Sequence, residues 1–285
     1  MGIRKSDFAG TWYPGRESEC RKAIEDFLKA SIPCPPDEEE RLGGIVPHAG
    51  WYYSGQVAFN VINCLRNDVK PDVFVIFGKH LYLGSNNFIM NEGSWATPFG
   101  ELEIENDMAE SLISEFKFTV ETSTRYEADN TIELQLPFIK YLFPSVKIVP
   151  IGVPPSVSSI RIGERIAEIA EEMGQRIVVL GSTDLTHYGY NYGFTSKGIG
   201  REAVDWVKNV NDRRMVDLML RMDAGGIINE SLANSNACCS GAVAAAIGAL
   251  KRMGVREGRK LIYTTSHDIS PSDSFVGYVG VIYGK

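Results

Sequence analysis

The chain has 285 residues, 44% hydrophobic and 23% charged, with a formal charge of −7 and a pI near 5.3, an ordinary composition for a globular protein. The acidic balance and the lack of any run of five basic residues argue against nucleic-acid binding, which needs a basic stripe to neutralise phosphates. No apolar window could span a membrane and "MGIRKSDFAG" has no apolar signal core, so the expected location is the cytoplasm, away from the membrane.

Met1-Gly2 with Ser6 formally fits a short myristoylation pattern and nothing more. The acidic run Asp37 to Glu40, after Pro33-Cys34-Pro35-Pro36, reads as a solvated loop. Strands are predicted over Gly44–Pro47, Val73–Gly78, Lys147–Val153, Arg176–Gly181, Leu261–Thr265 and Phe275–Tyr283. Several are continuous β-branched runs, which suits strands buried on both faces. Helical patterns alternate with them over Val57–Asn67, Asp107–Phe116, Ile160–Met173, Gly200–Asn209, Arg213–Met222 and Ala242–Met253. The alternation implies βαβ units: an α/β fold with a largely parallel central sheet flanked by helices, in one domain over residues 1–285. The last run, "SFVGYVGVIYG", could hairpin back as an antiparallel strand. Five cysteines without zinc-ribbon spacing, in a chain without a secretory signal, are expected to be reduced thiols.

All four histidines follow predicted strands. His48 comes after "GGIVP", His80 after "DVFVIFGK", His187 after "RIVVLGSTDLT" and His267 after "LIYTTS". The carboxyl ends of parallel strands share one edge, where ligand crevices form. A single such histidine is usually a polar loop residue, but four on one rim suggest a shared site. His267 is the weakest member, in a polar loop. Two or three neutral imidazoles suit zinc, iron, copper or nickel, and a carboxylate from Asp184 or Glu133 would complete a non-haem iron set. Asp184, three residues before His187, could instead orient that imidazole. Cys238 and Cys239 precede a small-residue helix, where a thiol becomes more acidic. The alternative for them is plain packing beside Ala237 and Ala242.

Dinucleotide, Walker and GxSxG motifs are absent. Ser182, Asp184 and His187 are too close in sequence to form a hydrolytic relay. Trp12-Tyr13 and Trp51-Tyr52-Tyr53 are either aromatic walls for a planar ligand or ordinary packing at the sheet edge.

Taken in order, "AGTWY", "VPHAGWYYSG", "GKH", "NTIELQLPF", "GSTDLTHYG", "NACCSG" and "DSFVGYVG" resemble the Memo family, whose microbial members are often labelled AmmeMemoRadiSam system protein B. The match covers nearly the whole chain. The resemblance implies the fold of class III extradiol dioxygenases, non-haem iron enzymes that open catechol rings. It implies His48 and His80 as metal-binding imidazoles, with Cys239 preferred over Cys238 as the thiol in the third position. His187 would be an acid–base histidine beside Asp184, and the bound metal iron or copper. Two departures stand out. Asn130 replaces a common family histidine and cannot titrate near neutrality. "FGKH" is one residue tighter than the usual turn, putting the Lys79 ammonium next to a ligand candidate, where it would disfavour a cation but attract an anion.

Three functions follow, the phosphotyrosine-like ligand and the partner proteins among them being implied by the resemblance alone. One is a metal-dependent oxidoreductase with His187 as general base toward a small phenolic substrate. Another is a binding module for a phosphotyrosine-like or peptide ligand in a pocket of Trp12, Tyr13, Trp51, Tyr53, Lys79, Asn130 and Glu133. The third is a component of a modification system with AMMECR-type and radical-SAM partner proteins.

Overall fold

The computed structural model describes residues 2–35, 40–66 and 70–285; most of the acidic run, Asp37 to Glu39, and Asn67 at the end of a predicted helix lie outside the described residues. Twelve strands are described. They are β1 (Ile3–Arg4), β2 (Arg41–Val46), β3 (Val73–Gly78), β4 (Asn87–Met90), β5 (Ser94–Thr97), β6 (Gly100–Glu103), β7 (Phe118–Glu121), β8 (Lys147–Gly152), β9 (Ile177–Ser182), β10 (His187–Tyr188), β11 (Gly258–Thr265) and β12 (Phe275–Gly284). Nine of them form one sheet in the order β10-β12-β2-β9-β3-β8-β4-β7, with β11 also paired to β12. A small second sheet joins β1, β5 and β6.

The four central strands β2, β9, β3 and β8 are parallel to one another. Around them the expectation of a largely parallel sheet holds only roughly. Strand β12 runs antiparallel to β2, β10 and β11, and β4 runs antiparallel to β8. The antiparallel return of the last strand agrees with the sequence reading.

The central strands are apolar at nearly every position because both faces are covered. Val75 and Phe77 pack into one cluster with Ile166 and Ala245, while Phe74 and Ile76 pack into another with Val61 and Phe138. The covering helix Ser240–Arg252 is built from small residues so that it can lie close against Val157–Met173. A Cβ on Gly163 would come within 1.9 Å of the Ala245 carbonyl oxygen, a separation that only glycine allows. Close packing here holds the start of Ser240–Arg252 against the carboxyl edge of the sheet, beside His48 and His80.

Cys34 and Cys64 form a disulfide, which corrects the expectation of five reduced thiols; Cys20, Cys238 and Cys239 are free. Cys64 closes the helix Gln56–Cys64, and the chain entering β2 passes within 5.5 Å (Cα to Cα) of it. That proximity is a tertiary fact that spacing cannot reveal. No helix of the described residues is long and apolar enough to cross a membrane.

Candidate metal centre

The parallel strands β2 and β3 end at Val46 and Gly78, and each delivers a histidine to the shared edge within two residues: His48 and His80. Their Nε2 atoms lie 3.2 Å apart. From the other side, the two residues before Ser240–Arg252 bring thiols. Cys238 Sγ is 3.2 Å from His48 Nε2 and 3.8 Å from Cys239 Sγ. One candidate ligand atom from each of His48, His80, Cys238 and Cys239 falls within 4.8 Å of the others.

Each imidazole is held from behind. His48 Nδ1 lies 2.9 Å from Ser182 Oγ, and that hydroxyl donates its only proton to the Thr131 carbonyl at 2.7 Å. Ser182 must therefore accept from His48, which puts the proton on Nδ1 and leaves Nε2 as the free donor atom. His80 Nδ1 faces Asp129 Oδ2 at 3.8 Å. The other Asp129 oxygen accepts from the Thr131 amide at 3.1 Å and from the Thr131 hydroxyl. Both imidazoles are thus braced through Thr131, and both turn Nε2 toward the thiols.

Electrostatics separates the two cysteines. Burial alone would raise the Cys238 thiol, but the Cys239 hydrogen bond and the His48 and His80 imidazoles outweigh it and bring it well below the ordinary thiol value. Cys239 is pushed the opposite way, by burial and by the neighbouring Cys238. The Asp184 amide also donates to Cys238 Sγ at 3.3 Å. The thiolate character therefore belongs to Cys238, and Cys239 sits behind it with its amide on Thr183 Oγ1 at 3.1 Å.

Other residues singled out from the sequence fall in different places. Asp184 is a candidate ligand or a partner for His187; its Oδ1 accepts from the His48 amide at 2.8 Å and its Oδ2 lies 4.0 Å from His48 Nε2. Burial pushes the Asp184 carboxyl up. His187 instead directs Nδ1 at the Leu185 carbonyl, 3.2 Å away, and stands edge-on to Tyr192 at 5.1 Å. Asn130 donates to the His48 carbonyl at 2.9 Å, so it fixes the strand end as an amide can. Ser182 is committed to His48 and Thr131, which excludes it from a hydrolytic relay with His187.

Four pocket expectations need correction. Glu133 is fully buried and accepts from the amides of Asp7 and Phe8 and from the Tyr13 hydroxyl, at 2.9, 2.8 and 3.0 Å. It anchors the N-terminal segment and lies outside the His–Cys cluster. Tyr13 is accordingly core. Trp51 is also buried, stacked on Phe138 at 4.0 Å with its indole N–H on the Leu134 carbonyl. Lys79 points its ammonium at Glu121 Oε1, 2.7 Å away, instead of offering it to a ligand. Trp12 and Tyr53 remain exposed, together with Tyr52, Tyr190 and Tyr192. The N-terminal segment does fold back here, the Trp51 amide donating to the Trp12 carbonyl at 2.9 Å. His267 stays apart, bonded to the Ser272 carbonyl.

Sequence reasoning missed Asp129, the support role of Ser182, and Tyr192. Asp129 had a readable signal: it caps the short helix Asn130–Glu133 by accepting from the Thr131 amide.

The fold and this edge define an α/β protein with an imidazole–thiol cluster at the carboxyl ends of its parallel strands. The family model described as Memo-like protein matches residues 4–282. A MEMO1 family protein of Pyrococcus abyssi is 32% identical over 290 residues, covering 98% of this chain and 99% of the relative. Another, from Thermococcus onnurineus, is 33% identical over 294 residues, covering 99% and 100%. The chain belongs to the Memo family. Its fold is also similar to the crystal structure of an uncharacterized Escherichia coli K12 protein, with a TM-score of 0.53 at 10% identity, covering 85% of this chain and 99% of that one.

Proposed function

We propose that this Memo-family protein is a metal-dependent oxidoreductase of the dioxygenase-like type, holding one iron or copper ion on His48, His80 and the Cys238 thiolate. The observation that carries this reading is the convergence of two Nε2 atoms and one acidic thiol, with each Nδ1 braced from behind. The donor set suits the group: neutral imidazoles and a thiolate are ligands for iron and copper, the thiolate favouring the softer ion. Cys238 replaces Cys239 as the ligand because its sulfur is the one against His48. When bound, iron or copper would supply the redox chemistry of dioxygen activation.

The protein's own residues would do the rest. His187 presents its Nε2 lone pair, since Nδ1 donates to Leu185, and would take the proton of a phenolic hydroxyl. Asp184 holds the His48 backbone and keeps an oxygen facing the imidazole. Exposed Trp12, Tyr53 and Tyr192 would flank a planar ring.

The exposed rings also favour a second reading, a binding module for aromatic peptides. Pairing of Lys79 with Glu121 weakens the phosphotyrosine version of it, because the expected cation is already neutralised. Association with AMMECR-type and radical-SAM partner proteins is proposed on the family resemblance alone.

The test is oxygen uptake by protein loaded anaerobically with iron or copper, over a panel of catechols and phenols. Uptake that His187→Gln abolishes while metal content stays unchanged supports the oxidoreductase. No uptake with any substrate, alongside aromatic-peptide binding that survives metal removal, would replace it with the binding module.

A further inference from the structure

We infer that Lys79 is a positioning residue for His80, acting through a buried ion-pair anchor in place of packing; the inference rests on the metal-site reading above. The two imidazoles are held very differently. His48 is 1% exposed and locked by Ser182. The His80 side chain is 47% exposed, and Asp129 Oδ2 faces its Nδ1 from 3.8 Å, beyond hydrogen-bond distance. Burial therefore cannot place the His80 ring, and its direction depends on the backbone that carries it.

That backbone is unusual. Strand β3 ends at Gly78, where a Cβ would lie 2.3 Å from Thr131 Oγ1, and the chain then turns sharply through Lys79 at φ +73°. An L side chain avoids this left-handed region because its Cβ crowds the following carbonyl. The surroundings over-determine it at both ends of the residue. The Lys79 amide donates to Thr131 Oγ1 at 2.7 Å. The stem crosses Gly152, where a Cβ would come within 2.8 Å of Lys79 Cδ, and passes Phe88. The ammonium then meets Glu121 Oε1 at 2.7 Å. Glu121 is itself fixed by Arg4 at 3.0 Å, whose guanidinium lies between the Trp95 and Tyr126 rings at 3.6 and 4.1 Å. Lys79, Glu121 and Arg4 are all buried.

The anchor has two consequences. It holds the turn that aims His80 Nε2 at His48 and Cys238, and it neutralises the ammonium beside a cation site. The Thr131 that accepts from Lys79 also braces both imidazoles, so the turn is registered against the whole centre.

The experiment uses the double variant Lys79→Met/Glu121→Gln, which removes the pair but leaves the buried Arg4 without its carboxylate, beside Lys79→Met alone, in which Glu121 keeps its pair with Arg4, and with Lys79→Arg as the conservative rescue. Four histidines give four ring Cε1–H resonances, and His80→Ala identifies the relevant one in metal-free protein. The anchor predicts that the double variant shifts and broadens the His80 resonance, leaves those of His187 and His267 in place, and weakens cobalt or iron binding about tenfold, the lower end for loss of a supporting partner. Lys79→Arg should recover most of both effects. An unchanged His80 resonance in the double variant overturns the inference, whatever the metal data show. A shifted His80 resonance in a protein that binds no metal even as wild type would uphold the anchor and refute the metal-site reading instead.

Discussion

Removing the Ser182 hydroxyl tests the bracing of His48 most cleanly. Ser182→Ala deletes two buried hydrogen bonds at once, one accepted from His48 Nδ1 at 2.9 Å and one donated to the Thr131 carbonyl at 2.7 Å. Both partners stay buried, so no water replaces the lost group. A typical bond contributes about 1 kcal/mol net and a stranded buried group costs about 1–3 kcal/mol, which puts the variant roughly 2–3 kcal/mol below the parent. For a chain of 285 residues this corresponds to a melting temperature lower by about 3–5 °C. The effect on metal should be larger in relative terms. Without the serine acceptor the imidazole can carry its proton on Nε2, the atom needed for the metal, and the ring loses its orientation. Loss of such a partner weakens metal binding about 10–100-fold. Titration of metal-free protein under anaerobic conditions, beside thermal unfolding of the same samples, measures both effects. A melting temperature that falls as predicted while metal affinity stays within about twofold would refute the tautomer argument, and reduce Ser182 to a structural residue.

Four further outcomes follow from the same geometry. Cys238→Ser should lower metal affinity more than about 100-fold and Cys239→Ser less than about 10-fold, bracketing the range for a supporting partner; equal losses in a metal titration would return Cys239 to the ligand set. Burial raises the Asp212 carboxyl to about 6. Its folded pKa lies above the unfolded value, so the native state holds the proton more tightly and stability falls as pH rises from about 4 to about 6. Asp212→Asn should therefore gain melting temperature relative to the parent as pH is raised from about 4 to about 8, and a pH-independent difference would contradict this. Glu133→Gln weakens three hydrogen bonds to a charged acceptor, each contributing about 1.5–3 kcal/mol. Hydrogen exchange should speed up at Asp7 and Phe8, while metal affinity is retained. Replacing Cys34 and Cys64 by serine opens a loop with a sequence separation of 30 and should cost roughly 3–4 kcal/mol in denaturant unfolding; an unchanged midpoint would show that the bond does not form in solution.

Much of the central sheet was legible because burial on both faces writes itself into composition. Strand β3 falls where "VFVIFG" predicts it, β8 and β12 differ from expectation by one residue at one end, and β9 is shifted by one residue at both ends. The outer strands were not legible. Strands such as "NFIM" and "GELE" are four residues long, too short for a period to emerge. The helix Glu17–Lys29 hid for a related reason: only Cys20 and Ile24 are buried among charged neighbours. At the site, His48 and His80 were readable because parallel strands share their carboxyl edge, whereas the expectation of four histidines in one site fails: His187 and His267 lie outside the cluster. Which of two adjacent cysteines faces the imidazoles was not readable, since that depends on how the chain enters the helix Ser240–Arg252. The same holds for Lys79, Glu133, Tyr13 and Trp51. Their residue types suggested a pocket, and their directions are set by partners distant in sequence.

X-ray absorption at the metal edge, on protein reconstituted anaerobically with iron or copper and counted for metal per chain, tests the central claim most directly. The account predicts close to one ion per chain with two imidazole nitrogens and one sulfur in its coordination shell, the sulfur contribution lost in Cys238→Ser and retained in Cys239→Ser. Negligible metal in the parent, or a shell without sulfur, would contradict it.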